Sequence, residues 1–218
     1  MYFENRNSAG NILAEQLFEK YRYEDCAVIA LNEGGVLVGE PIAATLHSVL
    51  TLLLSEDVEI PGESLSLGNV SQNGNFLQNS FMTQGEFEGY RDEYFGYFEQ
   101  EKRVKFHKIN QLLGDGGTIS LDLLRNRNLI LVSDGFTDRT SLDVVFDFIK
   151  PIDHRKIIAV APVASAEAID RLHVKVDEIH ILDGKANYIS TDHYYDENEI
   201  PEREEIVQKI NNIIMNWR

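Results

Sequence analysis

Apolar residues occur in two alternating patterns, short continuous runs of strand length and longer stretches of helical period. Ala9, Ile12, Leu13, Leu17 and Tyr21 recur at helical spacing and predict an amphipathic helix over 8–21. CAVIAL (26–31) predicts a buried strand, NEGG (32–35) its exit loop, and Val38 to His47 a second helix. VLTLLL (49–54) predicts the next strand. From Ser55 to Phe81 the pattern breaks down among Pro61, glycines and asparagines, which predicts a loop or hairpin excursion. Residues 86–113 predict one long helix with an aromatic stripe of Phe87, Tyr90, Tyr94, Tyr97 and Phe98, ended at Gly114–Gly117. A strand at 129–133, a helix from about 140 to 149, a strand at 157–163, a helix from about 165 to 172, a strand at 178–182 and a terminal helix from about 201 to 216 complete the series. Strands alternating with helices predict an α/β fold: a mainly parallel sheet with helices on both faces, plus the loop and long-helix excursion at 55–113.

The chain has 218 residues, 43% hydrophobic, which suits a single domain spanning 1–218. Its net charge of -16 argues against nucleic acid or an anionic membrane as the main partner. One cysteine, Cys26, excludes an intrachain disulfide and a multi-cysteine metal site, and its apolar setting predicts an inert buried thiol. The polar start MYFENRNSAG and the shortness of every apolar run predict neither a signal peptide nor a membrane span, so a cytoplasmic location is expected. The six histidines suggest no metal site, and neither a G-x-S-x-G elbow nor a G-x-G-x-x-G loop occurs.

Candidate chemistry gathers in LILVSDGFTDRTS (129–141), where a strand stops at Asp134–Gly135 and a hydroxyl-rich loop leads into a helix. In α/β proteins, phosphate-bearing ligands sit beyond the carboxyl end of a strand, at a helix N-terminus.

Six segments in order resemble one family. FENRNSAGNILAEQL is similar to its opening helix, and ALNEGGVLVGEPIA to its strand, Gly-Gly loop and helix. IPGESLSLGNVSQNG resembles its Pro-Gly excursion, LVSDGFTDRTS its phosphoribosyl-pyrophosphate (PRPP) motif, and IIAVAPVASAEAIDRLHVKVDEIHIL its next strand–helix–strand unit. His193-Tyr194-Tyr195-Asp196 before a terminal helix also fits. The chain thus resembles a type I phosphoribosyltransferase, in particular the bacterial group of predicted phosphoribosyltransferases. The resemblance implies a phosphoribosyltransferase-like core and a glycosyltransferase reaction of nucleotide metabolism. In that reaction a nucleophile displaces pyrophosphate from PRPP, with Mg²⁺ as cofactor if the protein is catalytically active. It implies a phosphorylated sugar or nucleotide-like ligand and a homodimer. Carried over residue by residue, Asp134 is the catalytic, ribose-binding acid. Gly34 and Gly35, with Glu33 before them, form the pyrophosphate loop. Ser133, Gly135, Thr137, Asp138, Arg139, Thr140 and Ser141 form the substrate cradle.

The match is partial, and the departures share a direction. Glu33 stands where the group often has Arg, Ser133 replaces one of two acids, and Asp138 and Arg139 replace Thr and Gly. A carboxylate about 5 Å from a phosphate charge costs roughly 3 kcal/mol at an effective dielectric near 20. Two such contacts, at Glu33 and Asp138, would weaken binding by about four orders of magnitude unless Mg²⁺ or a cation, such as Arg139, compensates. Asp138 is equally an N-cap for the helix that follows, and Asn-Glu-Gly-Gly is also an ordinary turn. Two readings follow: a phosphoribosyltransferase-like protein acting on PRPP or a related ligand, and a non-catalytic homologue serving as a ligand-binding or protein-interaction module.

Overall fold

A computed structural model describes residues 1–62, 66–72, 74–79, 82–113, 121–137 and 142–216, the side chains of 112, 113, 214 and 216 excepted. The elements in chain order are α1 (Arg6–Tyr21), β1 (Cys26–Ala30), α2 (Glu33–Thr45), β2 (Val49–Leu52), β3 (Ser55–Glu59), β4 (Ser66–Ser71) and β5 (Phe76–Gln78). There follow α3 (Gln84–Glu93), α4 (Phe95–Leu113), β6 (Asn128–Val132), α5 (Leu142–Ile149), β7 (Lys156–Ser165), α6 (Ala166–Lys175), β8 (Glu178–Lys185) and α7 (Arg203–Asn211). They divide into two compact units, one of Met1–Leu53, Ile119–Thr140 and Ile152–Arg218, the other of Leu54–Thr118 and Ser141–Pro151.

The first unit is built on a five-stranded sheet of order β2-β1-β6-β7-β8, parallel throughout. Every residue of β1 and of β6 is buried, so both faces of the sheet centre are covered. Helix α2 packs on β1, β2 and β6, α6 on β7 and β8, and α1 on α2. A Cβ at Gly10 of α1 would lie 2.6 Å from Cγ of Pro41, so the two helices meet where α1 has no side chain. Ile12, which the spacing places on the inner face of α1, is exposed, while Arg6, Ala9, Leu13 and Leu17 are buried. Cys26 is buried as expected, and burial pushes its thiol up to about 11.

Two expectations are corrected, and a third is made specific. NEGG is not a loop: α2 starts at Glu33, because the Asn32 side chain caps it by accepting from N–H of Gly35 at 2.6 Å. The excursion expected from 55 as a loop or hairpin takes the hairpin form, since β3, β4 and β5 form an antiparallel sheet in the second unit. The single long helix is two. A Thr83–Glu86 capping box starts the first, and Tyr94 leaves helical geometry between them, two residues before Gly96. Of the aromatic stripe, Phe87 and Phe98 are buried and pack with Phe76, centroids 5.0–6.0 Å apart, whereas Tyr97 is exposed. This is core packing within the second unit.

The start of β8 is tied electrostatically. Glu178 accepts from Lys20 at 2.5 Å, from Lys156 at 2.9 Å and from the Tyr21 hydroxyl. Burial alone would raise the Glu178 carboxyl, but those three donors outweigh it and hold it well below the usual range. A depressed carboxyl contributes stability that is complete above the unfolded value and shrinks as pH falls below it. Glu178→Gln is therefore expected to destabilise more at about pH 7 than at about pH 3 in urea unfolding. Equal losses at the two pH values would exclude this account.

Candidate functional site

The carboxyl ends of β1 and β6 lie side by side, in register from Cys26↔Asn128 to Ala30↔Val132. The chain therefore brings Asn32–Gly35 beside Ser133–Gly135, the place where open α/β sheets bind ligands. Asn32 joins the two segments. Its Oδ1 caps α2, and its Nδ2 donates to Oδ1 of Asp134 at 2.7 Å.

Asp134 is only 4% exposed, and both of its carboxylate oxygens are engaged. Oδ1 takes the Asn32 amide, and Oδ2 takes Nε of Arg6 at 2.7 Å. Its backbone carbonyl accepts from the Tyr195 hydroxyl at 2.6 Å. Arg6, 2% exposed, extends the network: Nη2 donates to Asp192 at 2.6 Å, and its guanidinium carbon sits 4.7 Å from the Tyr195 ring centroid. Burial works against the Arg6 charge, but Asp134 and Asp192 more than offset it and raise its pKa above the ordinary value. Burial, aided by the Asp134 charge, raises Tyr195, which keeps its hydroxyl a donor.

The glycines fit this arrangement closely. A Cβ on Gly34 would fall within van der Waals contact of the Asp134 carboxylate and 2.8 Å from Nε of Arg6. A Cβ on Gly35 would lie 2.7 Å from the Val132 carbonyl, and one on Gly135 2.5 Å from the Tyr188 hydroxyl. Tyr188 also hydrogen-bonds Thr191 at 2.8 Å, and burial pushes it up to about 12. Ser133 is turned inward: its hydroxyl donates to the Gly135 carbonyl at 2.9 Å and accepts from N–H of Gly135 at 3.2 Å.

Gly34, Gly35, Ser133, Asp134 and Gly135 thus form one constellation, and Thr137 follows it, half-buried. Glu33 is not a bare charge. Its Oε1 lies 3.3 Å from Nη2 of Arg203, so the repulsion expected from it is offset by a cation of α7. Asp138, Arg139, Thr140 and Ser141 lie outside the described residues. Both oxygens of Asp134 are taken, and among the described residues no three His, Cys, Asp or Glu side chains converge.

Sequence reasoning missed Arg6, Asn32, Tyr195 and Arg203. Arg6 carried a usable signal: it shares the 3–4 residue spacing of Ala9, Gly10, Leu13 and Leu17, and a cation on a buried stripe requires an acid. Among the described residues no helix is long and apolar enough to cross a membrane.

The fold and this constellation define an α/β protein with its polar centre at the carboxyl ends of two adjacent parallel strands. No family model matches the chain. Among solved structures it is similar to the TT1426 protein from Thermus thermophilus, with 24% identity, a TM-score of 0.71, and coverage of 100% of this chain and 99% of that one. It is also similar to the AQ2163 protein from Aquifex aeolicus, at 11% identity and a TM-score of 0.50 over 83% of this chain and 74% of that one. A purine phosphoribosyltransferase from Pyrococcus horikoshii matches at 14% identity over 88% of this chain and 89% of that one, with a TM-score of 0.46. At these identities the likeness defines the fold and leaves the chemistry open.

Proposed function

We propose that this protein is a phosphoribosyltransferase homologue that binds a phosphorylated small molecule and no longer transfers a phosphoribosyl group. The observation that carries this reading is the state of Asp134. The acid that would take the ribose hydroxyls is buried, with one oxygen on Arg6 and the other on Asn32. A hydroxyl could reach it only by displacing one of these, and releasing Arg6 would strand a buried ion pair. Ser133, in place of the second acid, spends its hydroxyl on Gly135. What remains available to a ligand is the start of α2 with Arg203 beside it, which suits phosphate oxygens rather than ribose. Mg²⁺ would then enter only as a counter-ion to the ligand's own phosphates.

The test is calorimetric and enzymatic. PRPP and inorganic pyrophosphate are expected to bind with similar affinity, because the ribose hydroxyls add nothing. With PRPP, Mg²⁺ and a panel of nucleobases, pyrophosphate is expected not to be released above the protein-free rate. PRPP binding more than about tenfold tighter than pyrophosphate, or steady release, would establish the working transferase instead. Absence of binding by both anions would leave only a protein-interaction role.

A further inference from the structure

Two helices of the first unit are joined by two ion pairs, each with its cation on α7 and its acid on α2. Lys209 of α7 meets Glu40 of α2 at 3.0 Å. Arg203, at the start of α7, meets Glu33, at the start of α2, at 3.3 Å. Arg203 reaches Glu33 through Nη2, while its Nε is buried and has no hydrogen-bond partner among the described residues. Buried donors without partners are rare in folded proteins, and each calls for a missing acceptor. The Nε–Nη edge of a guanidinium is a fork that matches two oxygens of a phosphate. Here only one prong is used.

We infer that Arg203 binds an oxyanion of the phosphorylated ligand through its Nε–Nη2 edge, and that Glu33 is the internal carboxylate holding Arg203 until that oxyanion replaces it. This rests on the ligand-binding reading given above and supplies the cation that the sequence lacks ahead of Gly34–Gly35. Glu33 suits a place-holder. It opens a helix whose first-turn N–H groups have no intrahelical acceptors and whose dipole favours an anion. The N–H of Gly35 is already taken by Asn32, so the unsatisfied guanidinium edge, not the helix start alone, selects the ligand. The chemistry selected is a phosphate or diphosphate group, whichever molecule carries it.

The deciding experiment titrates the full chain and three variants with inorganic pyrophosphate, with inorganic phosphate as a second arm. Glu33→Gln removes the competing carboxylate and should tighten binding on the order of tenfold. Arg203→Gln should weaken it by on the order of tenfold or more, and Arg203→Lys should fall between, since it keeps the charge and loses the fork. Circular dichroism and melting curves establish that each variant is folded. If the wild type binds and neither Glu33→Gln nor Arg203→Gln changes the affinity, Arg203 has no such role, although the ligand-binding reading stands. Failure of both wild type and Glu33→Gln to bind either anion overturns both. If Arg203→Gln does not fold, absence of tightening in Glu33→Gln is sufficient to reject the inference.

Discussion

Replacing Arg6 by alanine is expected to cost about 3–5 kcal/mol of stability at neutral pH, the loss typical of breaking a buried ion pair from one side. The guanidinium is 2% exposed and holds Asp134 at 2.7 Å and Asp192 at 2.6 Å. Asp192 is exposed, so losing its partner costs little there. Asp134 is buried, and in Arg6→Ala only Asn32 would remain to a charge out of reach of water. Adding Asp134→Asn should recover part of the loss, because a neutral amide has less to lose from burial. Urea unfolding of the two single variants and the double variant measures this directly. A loss below about 1 kcal/mol in Arg6→Ala would place the pair among exposed salt bridges and remove the main support for a sealed Asp134.

The second large effect is expected at Gly34. A Cβ there must displace the Asp134 carboxylate and Nε of Arg6 together. Neither can give way without breaking the other's bond, so Gly34→Ala should cost about 3 kcal/mol or more. The loss should be strongly non-additive with Asp134→Ala, by about 1–3 kcal/mol, because that variant vacates the space the methyl needs. Gly89 supplies the control. It lies within α3 with nothing within 4 Å of its would-be Cβ, so Gly89→Ala should add about 0.5–1 kcal/mol. Loss at Gly34 without coupling to Asp134 would mean that the glycine answers to backbone demands rather than to the clasp.

What the sequence disclosed and what it withheld divide along physical lines. The strands of the parallel sheet were legible because burial on both faces demands unbroken apolar runs, as in CAVIA and NLILV. The small sheet was legible only as one of two alternatives, loop or hairpin, since SEDVE buries Val58 alone and shows no apolar alternation. The start of α2 was misplaced because an asparagine followed by Glu-Gly-Gly satisfies a turn and a helix cap equally; only the bond from Gly35 to Asn32 decides. At the site, Asp134 was readable as an acid ending a buried strand. Its partner was not, since Arg6 lies 128 positions away and no local pattern links them. The same holds for Glu33, whose charge was visible and whose counter-charge at Arg203 was not.

The clasp around Asp134 also has a history in time. Arg6 is synthesised 128 residues before Asp134 and 186 before Asp192. Phe3 and Glu4 likewise wait for Asp196 and Glu197, whose N–H groups donate to their carbonyls. As the chain leaves the ribosome, β1 and α2 can form early. Helix α1 can pack on α2 once both are made, but Arg6 carries an unpaired cation on its buried stripe until Asp134 and Asp192 follow. The clasp around Asp134 is therefore among the last contacts to form, and the slow closing step of folding should be the pairing of Arg6 with its two acids.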